Sequence, residues 1–263
     1  MMTVGRRVQL IAHRGDPAHA PENTLASFKS AMAKGAKAVE VDVRRTADGV
    51  WVAFHDDTLQ RTAGRSGYLA RTGWETARTL DVGKWFSKKF AGERTPSLAE
   101  VLVLCRRRGV KVFIDVKVPS REKELLRTLR SSRWLHRTLI GAGTVASLRR
   151  WRRLLKEHPL FWVTGYHTPL TIGRVALARR LEMAGFVAYK RWVTPSVIQR
   201  VRSAGLKLCV WTVRRKSELR RFILLNVDGV MSEVWPHHLP SAPSGRLRSN
   251  PTASAVEKSV GGG

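Results

Sequence analysis

Histidine, arginine and carboxylate side chains gather near the start of this chain at spacings that suit chemistry on phosphate. His13 and Arg14 follow the apolar run 8–12, Glu40 and Asp42 stand two apart within 38–43, and His55 closes a further apolar run. Side chains two apart on a strand share a face, so Glu40 and Asp42 project together, with Val39 and Val41 on the opposite side. Such a pair repels unless one member is protonated or a cation lies between them. All-oxygen ligation suits Mg²⁺ or Ca²⁺, whereas no Cys/His spacing for zinc is present. The same two acids are also open to pairing with arginines, Arg44 and Arg45 among them. Asp115 adds a third carboxylate at the end of 110–116, and Lys117 follows on the same face. Together they read either as part of a metal and phosphate site or as a strand-end salt bridge. A lone His13 would read as structural. With His55 at the end of a second strand-like run, the two imidazoles suit a general base and a general acid. Arg14 offers a planar fork for phosphate oxygens.

Regular elements must bring these residues together. Short apolar runs at 8–12, 38–43, 110–116, 138–142, 160–163, 185–188, 206–211 and 227–231 read as strands. Asp48-Gly49 turns the chain into a ribbon arm at 50–55. Helical periodicity appears at 24–34, 98–108, 121–129, 146–157, 194–204 and 216–225. Gly35 marks the end of the first helix, and Gly109 and Gly205 sit where helix C-caps would feed the next strand. A repeated strand–helix unit with about eight strands predicts a parallel α/β sheet, and at 263 residues a closed (β/α)₈ barrel. An open doubly wound sheet lacks its Gly-x-Gly-x-x-Gly turn after the first strand. Residues 56–97 break the rhythm with glycines and scattered aromatics, and they read as a small insertion after the second strand, packed over one barrel end. The barrel is expected over 8–236, and the Ser-, Pro- and Gly-rich tail 240–263 is expected to be disordered.

Composition bounds the rest. Hydrophobic residues make up 43% of the chain, enough for a sizeable core. Cys105 and Cys209 cannot build a disulfide framework and read as two buried thiols. No apolar stretch has the length of a membrane span or a signal-peptide core, so a soluble cytoplasmic protein is expected. Lys and Arg number 48 against 20 Asp and Glu, a balance of +28 that draws anions. No basic strip interleaved with aromatics accompanies it, so no specific nucleic-acid partner is expected. Residues 146–157 place Leu148, Trp151, Leu154 and Leu155 on one face and arginines on the other. They read as an outer barrel helix, with peripheral contact to an anionic membrane as the competing reading.

The motifs, taken in order, resemble those of the glycerophosphodiester phosphodiesterase family. His13-Arg14-Gly15, Pro21-Glu22-Asn23-Thr24, Glu40-x-Asp42, the Asp48-Gly49 turn and His55-Asp56 are similar to its N-terminal signature. Gly64-Arg65-Ser66-Gly67-Tyr68, Leu80-Asp81-Val82-Gly83-Lys84-Trp85 and Pro96-Ser97-Leu98 resemble its insertion. Asp115-Val116-Lys117, Val210-Trp211-Thr212-Val213 and Val227-Asp228-Gly229-Val230 resemble its later strands. The resemblance implies a (β/α)₈ barrel that hydrolyses small glycerophosphodiesters to glycerol 3-phosphate and an alcohol with a divalent cation. It implies that Glu40, Asp42 and Asp115 hold the ion and that His13 and His55 are the acid/base pair. It further implies that Arg14 and Lys117 bind phosphate and that Trp211 lines the substrate pocket. The chain departs from the family pattern at Asp115, where Glu is common, at Arg214, where Asn is usual, and at Ser232-Glu233 in place of Thr-Asp. The strand near Gly141 also lacks the Ser-Phe pair. These departures bear on substrate identity. Competing functions are a lysophospholipase D-type hydrolysis of lipid diesters at a membrane and a noncatalytic barrel that binds polyanions.

Overall fold

The computed structural model describes residues 8–235. Nine strands form one sheet: β1 (Gln9–Ala12), β2 (Ala38–Arg45), β3 (Trp51–Ala53), β4 (Lys111–Val116), β5 (Thr138–Ala142), β6 (Leu160–Val163), β7 (Gly185–Tyr189), β8 (Lys207–Val213) and β9 (Gly229–Ser232). All but β3 pair in parallel with both neighbours, in the order β1-β9-β8-β7-β6-β5-β4-β2, and a β1–β2 pairing closes the ring. The expected eight-stranded barrel is therefore present. The tail 240–263 lies outside the described residues.

Alternation along each strand divides the core into two shells. Val39, Val41 and Val43 of β2 face the surrounding helices in one large apolar cluster. Ile11, Ala38, Phe113, Phe161, Val187, Cys209 and Met231, from seven strands, fill the barrel interior. Gly141 makes room for this filling. A Cβ there would stand 2.6 Å from Phe113 Cε1 and 2.7 Å from Val163 Cγ2. Cys105 and Cys209 are both buried free thiols.

Five of the outer helices start on hydroxyl caps. Thr24, Ser97, Thr144, Thr171 and Thr194 each accept a backbone N–H of the first helical turn, and Ser97 with Glu100 completes a capping box. The helices anticipated from periodicity are observed with ends shifted by a few residues, as in Leu98–Arg107 for 98–108 and Val145–Leu154 for 146–157. Helix Ile172–Arg180 was not among them. Only Val175 and Ala178 of it are buried, and Gly173 and three arginines blur its apolar face. Thr171, three residues before Arg174, was the local signal for it.

In Val145–Leu154, Leu148 and Trp151 are buried in the core cluster, while Leu154 packs partly against it. The apolar face is thus spent on the barrel, which is the outer-helix reading of this segment. Among the described residues no helix is long and apolar enough to cross a membrane.

The ribbon arm β3 lies outside the barrel, antiparallel to β2, with Val43 opposite Ala53 and Arg45 opposite Trp51. β1 reaches β2 only at Ala12 opposite Val39, so β3 takes over that edge of β2 further along. This hand-over carries the chain after β3, and His55 with it, to the mouth of the barrel above the end of β1. The insertion beyond has its own cluster of Val52, Phe54, Leu59, Leu69, Ala77, Leu80 and Val82. Asp81 ties its loops by accepting the backbone N–H groups of Gly83, Lys84 and Gly92.

Candidate active site

A cavity of about 550 Å³ opens where the parallel strands end, with His13, Arg14, Glu40, Asp42, His55, Asp115, Lys117 and Trp211 all in its lining. Every residue singled out from sequence for chemistry therefore meets in one place. Glu40 and Asp42 project inward from β2, each 1% exposed, and Asp115 projects from β4 directly opposite Asp42 in the strand register. A carboxylate oxygen from each of the three lies within 4.8 Å of the others.

Two cations interleave with these acids. Lys117 Nζ lies 2.6 Å from Asp115 Oδ2 and 2.9 Å from Asp42 Oδ1. Arg14 Nε lies 2.9 Å from Asp42 Oδ2, while its Nη1 donates to Glu22 Oε1 at 2.8 Å and its backbone N–H donates to Glu40 Oε2 at 2.9 Å. The turn after β1 makes this reach possible. Arg14 takes φ 56° and Gly15 φ 90°. A Cβ on Gly15 would fall 2.7 Å from the Ser27 carbonyl carbon, so glycine is required there. Arg44 and Arg45, the alternative partners of the acidic pair, point elsewhere: Arg44 bonds the His55 carbonyl and Asp57, and Arg45 pairs with Glu124.

Charge count explains the titration pattern. Three carboxylates face two cations, so one acid is in excess. Burial, then the charges of Asp42 and Asp115, push the Glu40 carboxyl well above the ordinary carboxylate range. Burial opposes ionisation of Asp42 too, but Lys117 and Arg14 hold it far below that range. Asn23 also holds Asp42 in place, donating from Nδ2 to Asp42 Oδ2 at 2.9 Å and accepting the Asp42 backbone N–H. Burial would lower Lys117, yet Asp115 and Asp42 raise it above the usual lysine value. A buried, all-oxygen set of three carboxyls with only two cations beside it is the donor chemistry of a hard divalent cation.

The histidines stand on either side. His13 Nε2 is 4.0 Å from Glu40 Oε2, and its Nδ1 is 3.1 Å from Glu233 Oε1. Burial lowers the His13 pKa below its usual value. His55 Nδ1 is 2.6 Å from Asp56 Oδ1. Burial opposes ionisation of Asp56, but hydrogen bonds from Arg61 and His55 bring its pKa down to about 2. Arg61, from the insertion, also grips Glu22 with both Nη groups at 2.9 and 2.8 Å, tying the insertion to the loop after β1. Each imidazole thus has its Nδ1 engaged by a carboxylate, which leaves Nε2 for the cavity.

The rest of the lining mixes an apolar floor with the polar side chains Thr144, Ser147, Thr164 and Arg214. Phe113, Val163, Val187 and Met231 line the floor. Trp211 donates from Nε1 to the Thr164 carbonyl at 3.0 Å, and Tyr166, Tyr189 and Trp211 pack with ring centroids 4.7 to 5.5 Å apart.

Sequence reasoning assigned no role to Glu22, Asn23, Asp56 or Arg61. The first three lay inside the quoted motifs, while Arg61 carried no local signal. Glu233 and Arg214 were noted only as departures, because nothing local links residue 233 to His13.

The glycerophosphoryl diester phosphodiesterase family model matches residues 13–234. A glycerophosphodiester phosphodiesterase of Caldanaerobacter subterraneus subsp. tengcongensis is 33% identical over 231 residues, spanning 85% of this chain and 93% of that protein. A probable glycerophosphodiester phosphodiesterase 2 of Mycobacterium tuberculosis is 28% identical over 246 residues, 87% of this chain and 88% of that one. Among solved structures, an Oleispira antarctica phosphodiesterase in complex with the product sn-glycerol-3-phosphate superposes with a TM-score of 0.80 at 26% identity, covering 88% of this chain and 94% of that one. A family match over residues 13–234, on a barrel that gathers the candidate site residues in one cavity, places this chain in the glycerophosphoryl diester phosphodiesterase family.

Proposed function

We propose that the chain hydrolyses glycerophosphodiesters to glycerol 3-phosphate and an alcohol, with a Mg²⁺ or Ca²⁺ ion held by Glu40, Asp42 and Asp115 and with His13 and His55 as the acid/base pair. The observation that carries the reading is the placement of both histidines, Arg14 and Lys117 around three carboxylates that approach within 4.8 Å. A phosphodiester anion repels nucleophiles, so its charge must be met before attack. The bound cation supplies Lewis-acid stabilisation of that charge. Lys117 has three ammonium N–H donors and gives two directions to Asp115 and Asp42, which leaves one for a phosphate oxygen. Arg14 likewise keeps N–H donors beyond those that meet Glu22 and Asp42. One histidine takes the proton of the attacking hydroxyl, either from water, which gives glycerol 3-phosphate directly, or from a neighbouring glycerol hydroxyl, which gives a cyclic phosphate that water then opens to glycerol 3-phosphate. The other delivers a proton to the leaving oxygen, each acting through Nε2. Trp211 and the apolar floor exclude water around the organic part of the substrate.

The test is release of glycerol 3-phosphate from a panel of water-soluble glycerophosphodiesters, in chelator and after Mg²⁺ or Ca²⁺ is restored, for the wild type, His13→Ala and His55→Ala. Metal-dependent release that is lost in both variants is the expected result. Release that persists in chelator, or in either variant, refutes the mechanism. Activity confined to lysolipids in vesicles would transfer the same site to lipid diesters.

A further inference from the structure

We propose that Glu233, braced by Arg214, is a positioning residue that fixes the tautomer of His13, so that Nδ1 carries the hydrogen and Nε2 presents its lone pair to the cavity. This inference rests on the hydrolytic reading of the site. Three neighbouring strands supply the parts: His13 follows β1, Glu233 follows β9 and Arg214 follows β8. One Glu233 oxygen, Oε1, meets His13 Nδ1 at 3.1 Å, and the other, Oε2, accepts from Arg214 Nε at 2.8 Å. Backbone bonds hold the frame, from His13 N–H to the Ser232 carbonyl at 3.1 Å and from Glu233 N–H to the Val213 carbonyl at 2.9 Å. The Arg214 backbone N–H is itself anchored on Glu218 Oε2 at 3.1 Å.

The chemistry follows from what each atom can do. Burial works against an ionised Glu233, but the hydrogen bonds from His13 and Arg214 bring its pKa down to about 2. An ionised carboxylate only accepts, so the hydrogen between it and His13 must sit on Nδ1. His13 is buried and its other nitrogen faces Glu40 Oε2 at 4.0 Å, the side of the proposed chemistry. An acceptor at Nδ1 is therefore what keeps Nε2 unprotonated and correctly aimed. At His55 the carboxylate beside Nδ1 comes from its neighbour in sequence, Asp56, at 2.6 Å. At His13 it comes from a residue 220 positions away.

Arg214 makes the idea sharply testable. In Glu233→Gln the side chain has one oxygen and one NH₂. Arg214 only donates, so it claims the oxygen and turns the NH₂ toward His13 Nδ1. The NH₂ then donates to Nδ1 and forces the hydrogen onto Nε2. Removing Arg214 as well frees the amide to turn its oxygen back to His13.

The experiment uses the full chain labelled with ¹⁵N-histidine, read at a pH about two units above the ordinary histidine value, with His13 assigned by its loss in His13→Gln. The wild type should show a protonated Nδ1 and a bare Nε2, and Glu233→Gln should show the reverse. In hydrolysis assays Glu233→Gln should lower kcat by about 10–100-fold with KM little changed. Glu233→Gln with Arg214→Ala should regain part of that loss and the wild-type tautomer, and Glu233→Asp should retain more activity than Glu233→Gln. An unchanged tautomer in Glu233→Gln, or a double variant no better than the single one, overturns the proposal. A wild type that hydrolyses no diester defeats the hydrolytic reading instead, and the tautomer signals still decide the role of Glu233.

Discussion

Replacing Glu40 by glutamine should change the sign of its effect on stability when a divalent cation is added. The three carboxylates lie within 4.8 Å of one another, and at an effective dielectric constant of about 20 two unit charges at that distance repel by about 3.5 kcal/mol. Arg14 and Lys117 offset the charges of two acids, and the third is surplus. Glu40 carries that surplus, since burial and its two acidic neighbours raise its pKa. A carboxyl raised on folding leaves stability intact below its unfolded pKa and takes it away as pH rises through the folded value. In chelator at neutral or alkaline pH, Glu40→Gln should therefore be as stable as the wild type or more so, and the gap should widen with pH. With cation at about 100 times its Kd, the wild type should gain about 2.7 kcal/mol by linkage, or about 5–10 °C in Tm, while the variant gains much less. Thermal melts of both proteins, in chelator and in a Mg²⁺ or Ca²⁺ titration at several pH values, give the answer. A wild-type Tm that ignores both cations, or a variant destabilised equally with and without them, would refute the charge accounting behind the proposed metal site.

Three other outcomes follow from separate observations. Gly141→Ala should cost about 1–3 kcal/mol in urea unfolding, because its Cβ would stand 2.6 Å from the Phe113 ring and 2.7 Å from Val163 in a filled barrel. Burial pushes the Cys105 and Cys209 thiols up to about 12, so the native protein at mildly alkaline pH should resist thiol reagents that label both residues once it is unfolded. Glu233 and Asp56 are held down to about 2 in the folded state, so they add stability above their unfolded pKa values that is lost as pH falls from about 4 toward 2. In acid titrations followed by circular dichroism, Glu233→Gln should flatten that part of the unfolding curve, and an unaltered curve would contradict the assignment.

Residue type and short-range spacing were enough to specify much of this protein. Alternation placed Glu40 and Asp42 on one face of β2, and Asp115 of β4 on the same side as Lys117 just past its end, because a strand's two-residue period is a local property. Apolar runs separated by helical periods gave the barrel, and Asp48-Gly49 gave the ribbon that lifts His55 to its mouth. Other features depended on closure of the ring. Which cations meet Glu40 and Asp42 was decided in the folded chain: Arg44 and Arg45 point away, while Arg14 and Lys117 reach Asp42 from the ends of other strands. Helix Ile172–Arg180 buries only two small side chains, too few to stamp a clear period on its sequence. Glu233 meets His13 only because β9 pairs with β1, and Arg61 reaches Glu22 only because the insertion folds back over the barrel end. The surplus charge on Glu40 likewise belongs to no motif, since it arises when burial removes water from three acids and only two cations come with them. Sequence order carries the chemistry of each side chain and its near neighbours, whereas long-range contact and desolvation exist only once the barrel has closed.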